Sequence, residues 1–280
     1  MNKTTQLRVP CCYQGGKQRI AGQIADKLLS VYLKDNKNVH FYDLCCGSGA
    51  VTIELLNRGI QSQQITMLDV SSWGTFWKSI GEGNFNLDIF ERELAQIPKD
   101  KKKIKSYVTK LSNRTLKENE QYIYLILQSC SFGGKQIWLN NGKWSNAFFR
   151  DYWEPTANSV RKSPAMQPAP ETLYERVRKL AIHCVGITCL KENIMDFATS
   201  KIHEQSVVYV DPPYQGTTSY GFDFNLEKFI KKFKEVNNTP LLVSEGIPLN
   251  DRSEELTFGG AKGGINGNKP KKHREWITRF

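Results

Sequence analysis

The chain has 280 residues and a mass of 32.0 kDa, enough for one large domain or for a domain with a sizeable insertion. Hydrophobic residues make up 39% of it, a globular content that excludes disordered and collagen-like proteins. The longest apolar run, residues 122–127, is far shorter than the ~20 residues of a membrane span. Because residues 1–19 also lack the apolar stretch of a secretory signal, we expect a cytoplasmic protein that does not bind membranes.

The chain is basic, with 39 Lys and Arg residues against 28 Asp and Glu residues and a formal net charge of +11. Most of the excess lies in residues 99–182, which contain 11 Lys and 5 Arg but 7 acidic residues. Within this segment, residues 132–153 hold seven aromatic side chains. Basic groups contact phosphates and aromatic rings stack on exposed bases, so the segment is typical of a nucleic-acid surface. The alternatives are that the charge serves only solubility and that the aromatic residues form the core of the segment.

Two biased stretches are expected to lie outside the folded core. The Lys-rich residues 99–105 are typical of a solvated linker, and the Gly-rich residues 259–267 of a flexible loop.

The seven cysteines argue against metal and disulfide chemistry. They form an odd set with two adjacent pairs and no Cys-x-x-Cys motif, and only four His residues accompany them. We therefore expect reduced, mostly buried thiols and no metal site.

A strand, a glycine turn and a helix are predicted in succession near the start of the chain. Residues 39–44 form a short apolar run, Gly47-Ser48-Gly49 follows it, and residues 50–57 show helical spacing. A second apolar run, residues 65–70, carries Asp69, 22 positions after Gly47. This pattern is that of the first βαβ unit of an open parallel sheet, in which such an acid holds an adenosine ribose.

The turn lacks the third glycine of a dinucleotide fingerprint because position 52 is Thr, so a pyrophosphate is not the expected ligand. S-adenosylmethionine has no pyrophosphate. It needs a carboxylate for its amino group, which Asp43 could supply, and close backbone approach at Gly47 and Gly49. Its ribose hydroxyls need an acid, for which Asp69 is placed. Each of these residues could instead have a purely structural role.

The sheet pattern resumes in the second half of the chain. Strands are predicted over residues 186–190, 207–210 and 240–244, with a helix whose apolar face includes Leu226 and Phe233 before the last of them. Strands that alternate with helices indicate an α/β fold.

The strand over residues 207–210 ends in Asp211-Pro212-Pro213-Tyr214, at the edge of the sheet where ligands of such folds bind. The two prolines have no N–H, which leaves carbonyl oxygens free to accept hydrogen bonds, and the Tyr214 ring can stack on a planar base. The exocyclic amine of adenine or cytosine fits this arrangement. If the Asp211 carboxylate and the Pro212 carbonyl accept its two N–H groups, its lone pair can be aimed at an electrophilic methyl group.

The motifs together resemble those of Dam-like N6-adenine DNA methyltransferases, particularly the phage-encoded members, in order over nearly the whole chain. Tyr13-Gln14-Gly15-Gly16-Lys17 is similar to the N-terminal motif, residues 43–49 to the methionine-binding motif, and residues 211–214 to the catalytic tetrapeptide. Asp196-Phe197 is similar to the pair that holds the cofactor adenine. Trp73, Gly74, Phe76 and Trp77 are similar to a phage subgroup. Leu44-Cys45 and Gln14 depart from common members of the family.

The resemblance implies a Rossmann-like S-adenosylmethionine-dependent methyltransferase fold with an inserted, basic and aromatic-rich target-recognition region. It divides the chain into a cofactor-binding half (residues 1–98), this target-recognition region (99–182) and a catalytic half (183–280). The expected cofactor is S-adenosylmethionine and the expected partner double-stranded DNA, with a monomer or weak dimer in the cytoplasm, the host's if phage-encoded. The catalytic residues would be Asp211, Pro212, Pro213 and Tyr214. The cofactor-binding residues would be Tyr13, Gly16, Lys17, Asp43, Gly47, Gly49, Asp69, Asp196 and Phe197. For contacts to phosphate or guanine, the candidates are Lys135, Arg150 and Arg161.

A duplex hides the adenine amine, so base flipping is expected, with Tyr214 stacked on the extruded base and residues 215–225 closing over it. Three alternatives stay open at this point. Cytosine-N4 methylation and adenine methylation of RNA use the same acceptor geometry. A catalytically inert fold that only binds DNA is the third.

Overall fold

The computed structural model describes residues 6–31, 38–114, 116, 118–154, 163–214, 224–256 and 274–280. In chain order, its helices are α1 (Ala21–Ser30), α2 (Ala50–Asn57), α3 (Ser72–Gly81), α4 (Leu87–Ala95), α5 (Ile104–Ser112), α6 (Glu120–Cys130), α7 (Pro170–His183), α8 (Ile194–Phe197) and α9 (Leu226–Val236). Its strands are β1 (His40–Leu44), β2 (Ile65–Leu68), β3 (Trp138–Asn140), β4 (Lys143–Ser145), β5 (Thr188–Leu190), β6 (Ser206–Val210), β7 (Leu241–Glu245), β8 (Ser253–Leu256) and β9 (Glu275–Arg279). Single 3-10 turns occupy Ser62–Gln64, Lys101–Lys103 and Phe132–Gly134.

Seven strands of the described residues form a central sheet in the order β5-β2-β1-β6-β7-β9-β8. The pairs from β5 to β7 are parallel, and β9 runs antiparallel to both of its neighbours. Leu44 at the end of β1 lies level with Leu68 of β2 and with Val210 of β6. Outward from β1, the strand order runs through β2 to β5 on one side and through β6 to β7 on the other, so the order of strands reverses between β1 and β6. This position is the switch point where open α/β sheets form a ligand crevice. The expected Rossmann-like α/β fold is confirmed.

The sheet is covered on both faces, which explains why its central strands are continuous apolar runs. All five residues of β6 are buried. On one face Phe41 and Val207 join a hydrophobic cluster with residues of α1, α2 and α3. On the other face Leu44 and Val208 pack with residues of α8 and α9. The two faces alternate along each strand, as the period of a β-strand requires.

The segment between β2 and β5 packs against the first face of the sheet. Buried residues of α5, α6 and α7 belong to the same hydrophobic cluster as Phe41. The apolar run of residues 122–127 lies in α6 and is wholly buried. The division of the chain at residues 98/99 and 182/183 stays a prediction.

The aromatic residues of this segment separate into two sets. Trp144 and Phe149 are buried. Phe132, Phe148 and Trp153 are 52%, 66% and 64% exposed. Some rings thus build the core of the segment, and others face solvent, where a base could contact them.

Most predicted elements agree with the structure, and the helix over residues 50–57 agrees at both ends. The linker predicted for residues 99–105 is wrong in part. The Asp100 side chain accepts the backbone N–H of Lys102, a 3-10 turn forms over Lys101–Lys103, and α5 begins directly afterwards. The Gly-rich residues 259–267 lie outside the described residues. In the part of the chain that the structure describes, no helix is long and apolar enough to cross a bilayer.

Candidate active site

The candidate site lies where β1 and β6 end side by side. The Asp211 N–H donates to the Leu44 carbonyl over 3.1 Å, so the acid that follows β6 is held beside the turn that follows β1. One cleft at this edge is lined by Tyr13, Gly15, Gly16, Lys17, Asp43, Cys45, Cys46, Gly47, Ser48, Ala50, Val51, Tyr209 and Asp211. Six predicted site residues are among them: Tyr13, Gly16, Lys17, Asp43, Gly47 and Asp211.

The glycine turn is held between two aromatic rings. Gly47 and Gly49 have φ of +49° and +73°, in the left-handed region that favours glycine. A Cβ on Gly47 would stand 2.8 Å from the Tyr13 ring, and one on Gly49 would stand 2.3 Å from the Trp77 ring. Trp77 also donates its indole N–H to the Gly47 carbonyl over 3.0 Å. Both glycines are therefore required by conformation and by space.

Asp43 is buried near the end of β1 and lines the cleft. Its Oδ2 accepts the backbone N–H of Thr52 at 3.2 Å and the Thr52 hydroxyl at 2.7 Å. Burial raises the pKa of Asp43 to about 6, which these hydrogen bonds oppose. Thr52, which occupies the position of the missing third glycine, thus orients the acid predicted to bind the cofactor.

Asp69 follows β2 and holds the glycine turn through a hydrogen bond to Gly47. Its Oδ2 accepts the Gly47 N–H at 2.8 Å, and its Oδ1 accepts the N–H and the hydroxyl of Ser71 at 2.9 and 2.5 Å. Burial raises the pKa of this carboxyl despite the three donors. Its contacts lie within the protein, and its role toward a ribose stays a prediction.

Asp211 takes part in a buried charge network. The Lys17 Nζ lies 2.6 Å from its Oδ1 and also donates to the Gly15 carbonyl at 2.9 Å. Burial raises the pKa of Asp211 to about 7, the Lys17 ammonium lowers it, and Glu275 raises it. Lys17, predicted to bind the cofactor, thus contacts the predicted catalytic acid.

Tyr214 lies on the other side of Lys17. Its ring centroid is 4.9 Å from the Lys17 Nζ, and its hydroxyl donates to the Glu275 carboxylate. Pro212 and Pro213 connect it to Asp211, so the tetrapeptide directly follows β6.

Asp196 and Phe197 belong to α8, which follows β5. The Phe197 ring is buried in the hydrophobic cluster that contains Leu44 and Val208, and its centroid lies 6.0 Å from that of Tyr42. Neither residue lines the cleft. Their contact with a cofactor adenine stays a prediction.

The predicted DNA-contacting residues differ in their surroundings. Lys135 is exposed. The Arg150 guanidinium donates to the Ser131 carbonyl and to the Gln167 side chain, both at 2.7 Å. Arg161 lies outside the described residues. Near Lys135, the Gly134 carbonyl accepts the Gln14 N–H at 2.7 Å, so this loop lies against the N-terminal motif of the cleft.

Several residues of the site were not predicted from the sequence, among them Thr52, Trp77 as a support of the turn, Ser48 and Glu275. Ser48 lines the cleft, and its buried hydroxyl has no hydrogen-bond partner among the described residues. Its position inside the glycine motif was a signal for it. Glu275 carried no such signal because it belongs to no motif.

No cluster of three or more His, Cys, Asp or Glu side chains suited to a metal occurs in the described ranges. All seven cysteines are free thiols, and four of them are buried.

Comparison with protein families matches residues 13–239 to the family described as D12 class N6 adenine-specific DNA methyltransferase. The match spans the N-terminal motif, the glycine turn, the segment between β2 and β5, and the tetrapeptide. No curated protein matches the sequence.

Proposed function

The chain belongs to the D12 class N6 adenine-specific DNA methyltransferase family and is thus a transferase that methylates adenine N6 in DNA, and we propose that Asp211 to Tyr214 carry this reaction with S-adenosylmethionine as donor. Because the family is specific for adenine N6 in DNA, cytosine-N4 methylation and adenine methylation of RNA are not favoured. Because its members are methyltransferases, a catalytically inert DNA-binding fold is not favoured either. A phage origin, which the similarity of residues 73–77 suggested, stays a prediction.

The observation that carries the assignment of the site is the meeting of Asp211 with the glycine turn at the switch point of the sheet. The Asp211 carboxylate and the Pro212 carbonyl accept the two N–H groups of the adenine amine. This pulls the nitrogen towards a pyramidal shape and frees its lone pair. Because positive charge grows on the nitrogen as it gains a carbon, the carboxylate stabilises the transition state more than the ground state.

The cleft has groups that fit S-adenosylmethionine. Asp43 offers a buried carboxylate for the amino group, the Ser48 hydroxyl lacks a partner among the described residues, and Gly47 lines the same cleft. When bound, this cofactor supplies an electrophilic methyl group on a sulfonium. The chain's own part is to hold the amine in line with that group, so that direct displacement needs no covalent enzyme intermediate.

Access to the amine requires the adenine to leave the duplex, at a cost of a few kcal/mol. We assign the stacking of the flipped base to Tyr214, whose ring lies against the cleft residue Lys17 and whose hydroxyl donates to Glu275. The loop expected to close over the base, residues 215–225, lies mostly outside the described residues.

The DNA surface is assigned to the segment between β2 and β5. Its loop at Gly134 contacts the N-terminal motif of the cleft, and the exposed Phe132 and Lys135 flank this glycine. The Phe132 N–H donates to the Phe148 carbonyl at 2.8 Å, so two exposed aromatic residues are neighbours there. Basic and aromatic groups thus lie next to the proposed reaction centre.

Incubation with methyl-labelled S-adenosylmethionine and either DNA or RNA, followed by nucleoside analysis, tests the proposal. We expect label in N6-methyldeoxyadenosine. Label in N4-methyldeoxycytidine, or recovery of label only from RNA, would contradict it.

A further inference from the structure

Glu275 reaches the proposed site from the last strand of the sheet. Because β9 runs antiparallel to β7, its first residue lies at the edge where the parallel strands end. The Glu275 side chain is buried, with 5% of the residue exposed. It lies beyond residues 13–239, which the family match covers.

Glu275 binds two residues of the site at once. Its Oε1 accepts the Tyr214 hydroxyl and lies 3.6 Å from the Lys17 Nζ. The same ammonium is 2.6 Å from the Asp211 Oδ1. One buried cation therefore lies between the buried Glu275 carboxylate and the partly buried Asp211 carboxylate, and it is closer to Asp211, the one that the reaction uses.

In this arrangement Lys17 competes with the adenine amine for the Asp211 carboxylate. Withdrawal of the Lys17 ammonium from Oδ1 leaves the whole Asp211 carboxylate to the amine and removes a cation from beside the nitrogen on which positive charge grows. A buried ammonium without a counter-charge is costly, so its withdrawal needs a second anion nearby. Glu275 is that anion. Its carboxylate also accepts the Tyr214 hydroxyl, so the ring assigned to base stacking is held by the same side chain.

We propose that Glu275 is a positioning residue that accepts Lys17 from Asp211 when adenine enters and that fixes the Tyr214 ring. The inference rests on the proposed function, because it explains how Asp211 becomes available to the amine. Lys17 would then act as an occupant of the acceptor site that the substrate displaces.

The charged and titratable groups around Asp211 make the inference testable by pH. They are Lys17 from the N-terminal motif, Asp43 from β1, Cys45 from the glycine turn, Tyr209 from β6, Tyr214 and Glu275. Of these, only Glu275 is changed in the main variant. Loss of its negative charge lowers the pKa of Asp211, since Glu275 raises it in the native protein.

The experiment measures methylation by full-length Glu275→Gln, which keeps an acceptor for the Tyr214 hydroxyl but removes the charge. We expect kcat to fall about 10- to 100-fold, the effect of losing a charge-assisted interaction. The KM for S-adenosylmethionine is expected to stay unchanged. The acidic limb of the kcat/KM profile should move to lower pH by about 1 unit, at the lower end of the effect of one nearby charge.

Two further variants separate the parts of the inference. Tyr214→Phe removes only the hydroxyl, so it should lower kcat without moving the acidic limb. Glu254→Gln is the matched control, because Glu254 lies on the neighbouring strand β8 and pairs with Lys27 at the surface. It should behave as the native protein, and thermal unfolding should show that all variants fold.

The proposal is overturned if Glu275→Gln matches Glu254→Gln in kcat and pH profile, or if it lowers kcat without moving the acidic limb. Failure of the proposed function would look different. In that case the native protein itself would not methylate DNA adenine.

Discussion

Replacement of Gly49 by alanine tests how the turn that carries the cleft is built. Gly49 precedes α2 with φ of +73°, and a Cβ there would stand 2.3 Å and 2.7 Å from two atoms of the Trp77 ring. The ring is completely buried, so it cannot swing aside into solvent. Movement of the ring would also break the hydrogen bond from its N–H to the Gly47 carbonyl.

The expected loss of stability follows from three contributions. A left-handed alanine costs about 1 kcal/mol relative to glycine. Overpacking against the Trp77 ring costs about 1 to 3 kcal/mol. Loss of the Trp77 hydrogen bond adds about 1 kcal/mol, so the free energy of unfolding should fall by about 3 to 5 kcal/mol.

Urea unfolding of Gly49→Ala, followed by circular dichroism, measures this loss. Gly59→Ala is the matched control, because Gly59 has φ of +91° but nothing within 4 Å of a Cβ. It should lose only the conformational part, about 1 kcal/mol. Equal losses in the two variants would refute the claim that Trp77 closes the space behind the turn.

Further predictions concern pH, cofactor and DNA. Since burial raises the pKa of Asp211 to about 7 and the ionised form is needed, kcat/KM should fall as pH drops below about 7, and a flat profile from pH 5 to 8 would contradict this. The sign for stability is opposite: the folded state holds this proton more tightly, so the contribution of Asp211 to stability falls as pH rises from about 4 to about 7. Asp43→Asn should raise the Kd for S-adenosylmethionine about 10- to 100-fold in calorimetry, and an unchanged Kd would exclude Asp43 as a ligand. The variant should not lose stability, because burial raises the pKa of Asp43 to about 6 and its ionisation at pH 7 therefore destabilises the folded state. Lys135→Ala should reduce the slope of log K for DNA against log salt by about 1, whereas Lys231→Ala on α9 should not, and equal slopes would remove Lys135 from the DNA surface.

The parts of the fold that depend on local sequence could be predicted. The strand, glycine turn and helix over residues 39–57 follow from apolar spacing and from glycines that the left-handed turn requires. The tetrapeptide was also predicted correctly to follow a strand at the edge of the sheet. A buried apolar run predicts the strand, and the two prolines end it because they lack the N–H groups that pairing with a neighbouring strand needs.

The parts that depend on contacts distant in sequence could not. Glu275 enters the site only because β9 pairs with β7, and nothing in residues 274–280 indicates that pairing. The position of Lys17 against Asp211 joins residues 194 positions apart. The burial of Phe197 beside Tyr42 likewise depends on how α8 packs, which the Asp-Phe pair alone does not reveal.

The most direct test of the central claim is the single-turnover rate of methyl transfer by Asp211→Ala, measured with binding of S-adenosylmethionine and DNA. Asp251→Ala serves as control because Asp251 is exposed and distant in sequence from the motifs. We predict that transfer to adenine N6 falls at least about 100-fold in Asp211→Ala while both ligands still bind. A rate equal to that of Asp251→Ala would contradict the assignment of Asp211 as the acceptor of the adenine amine.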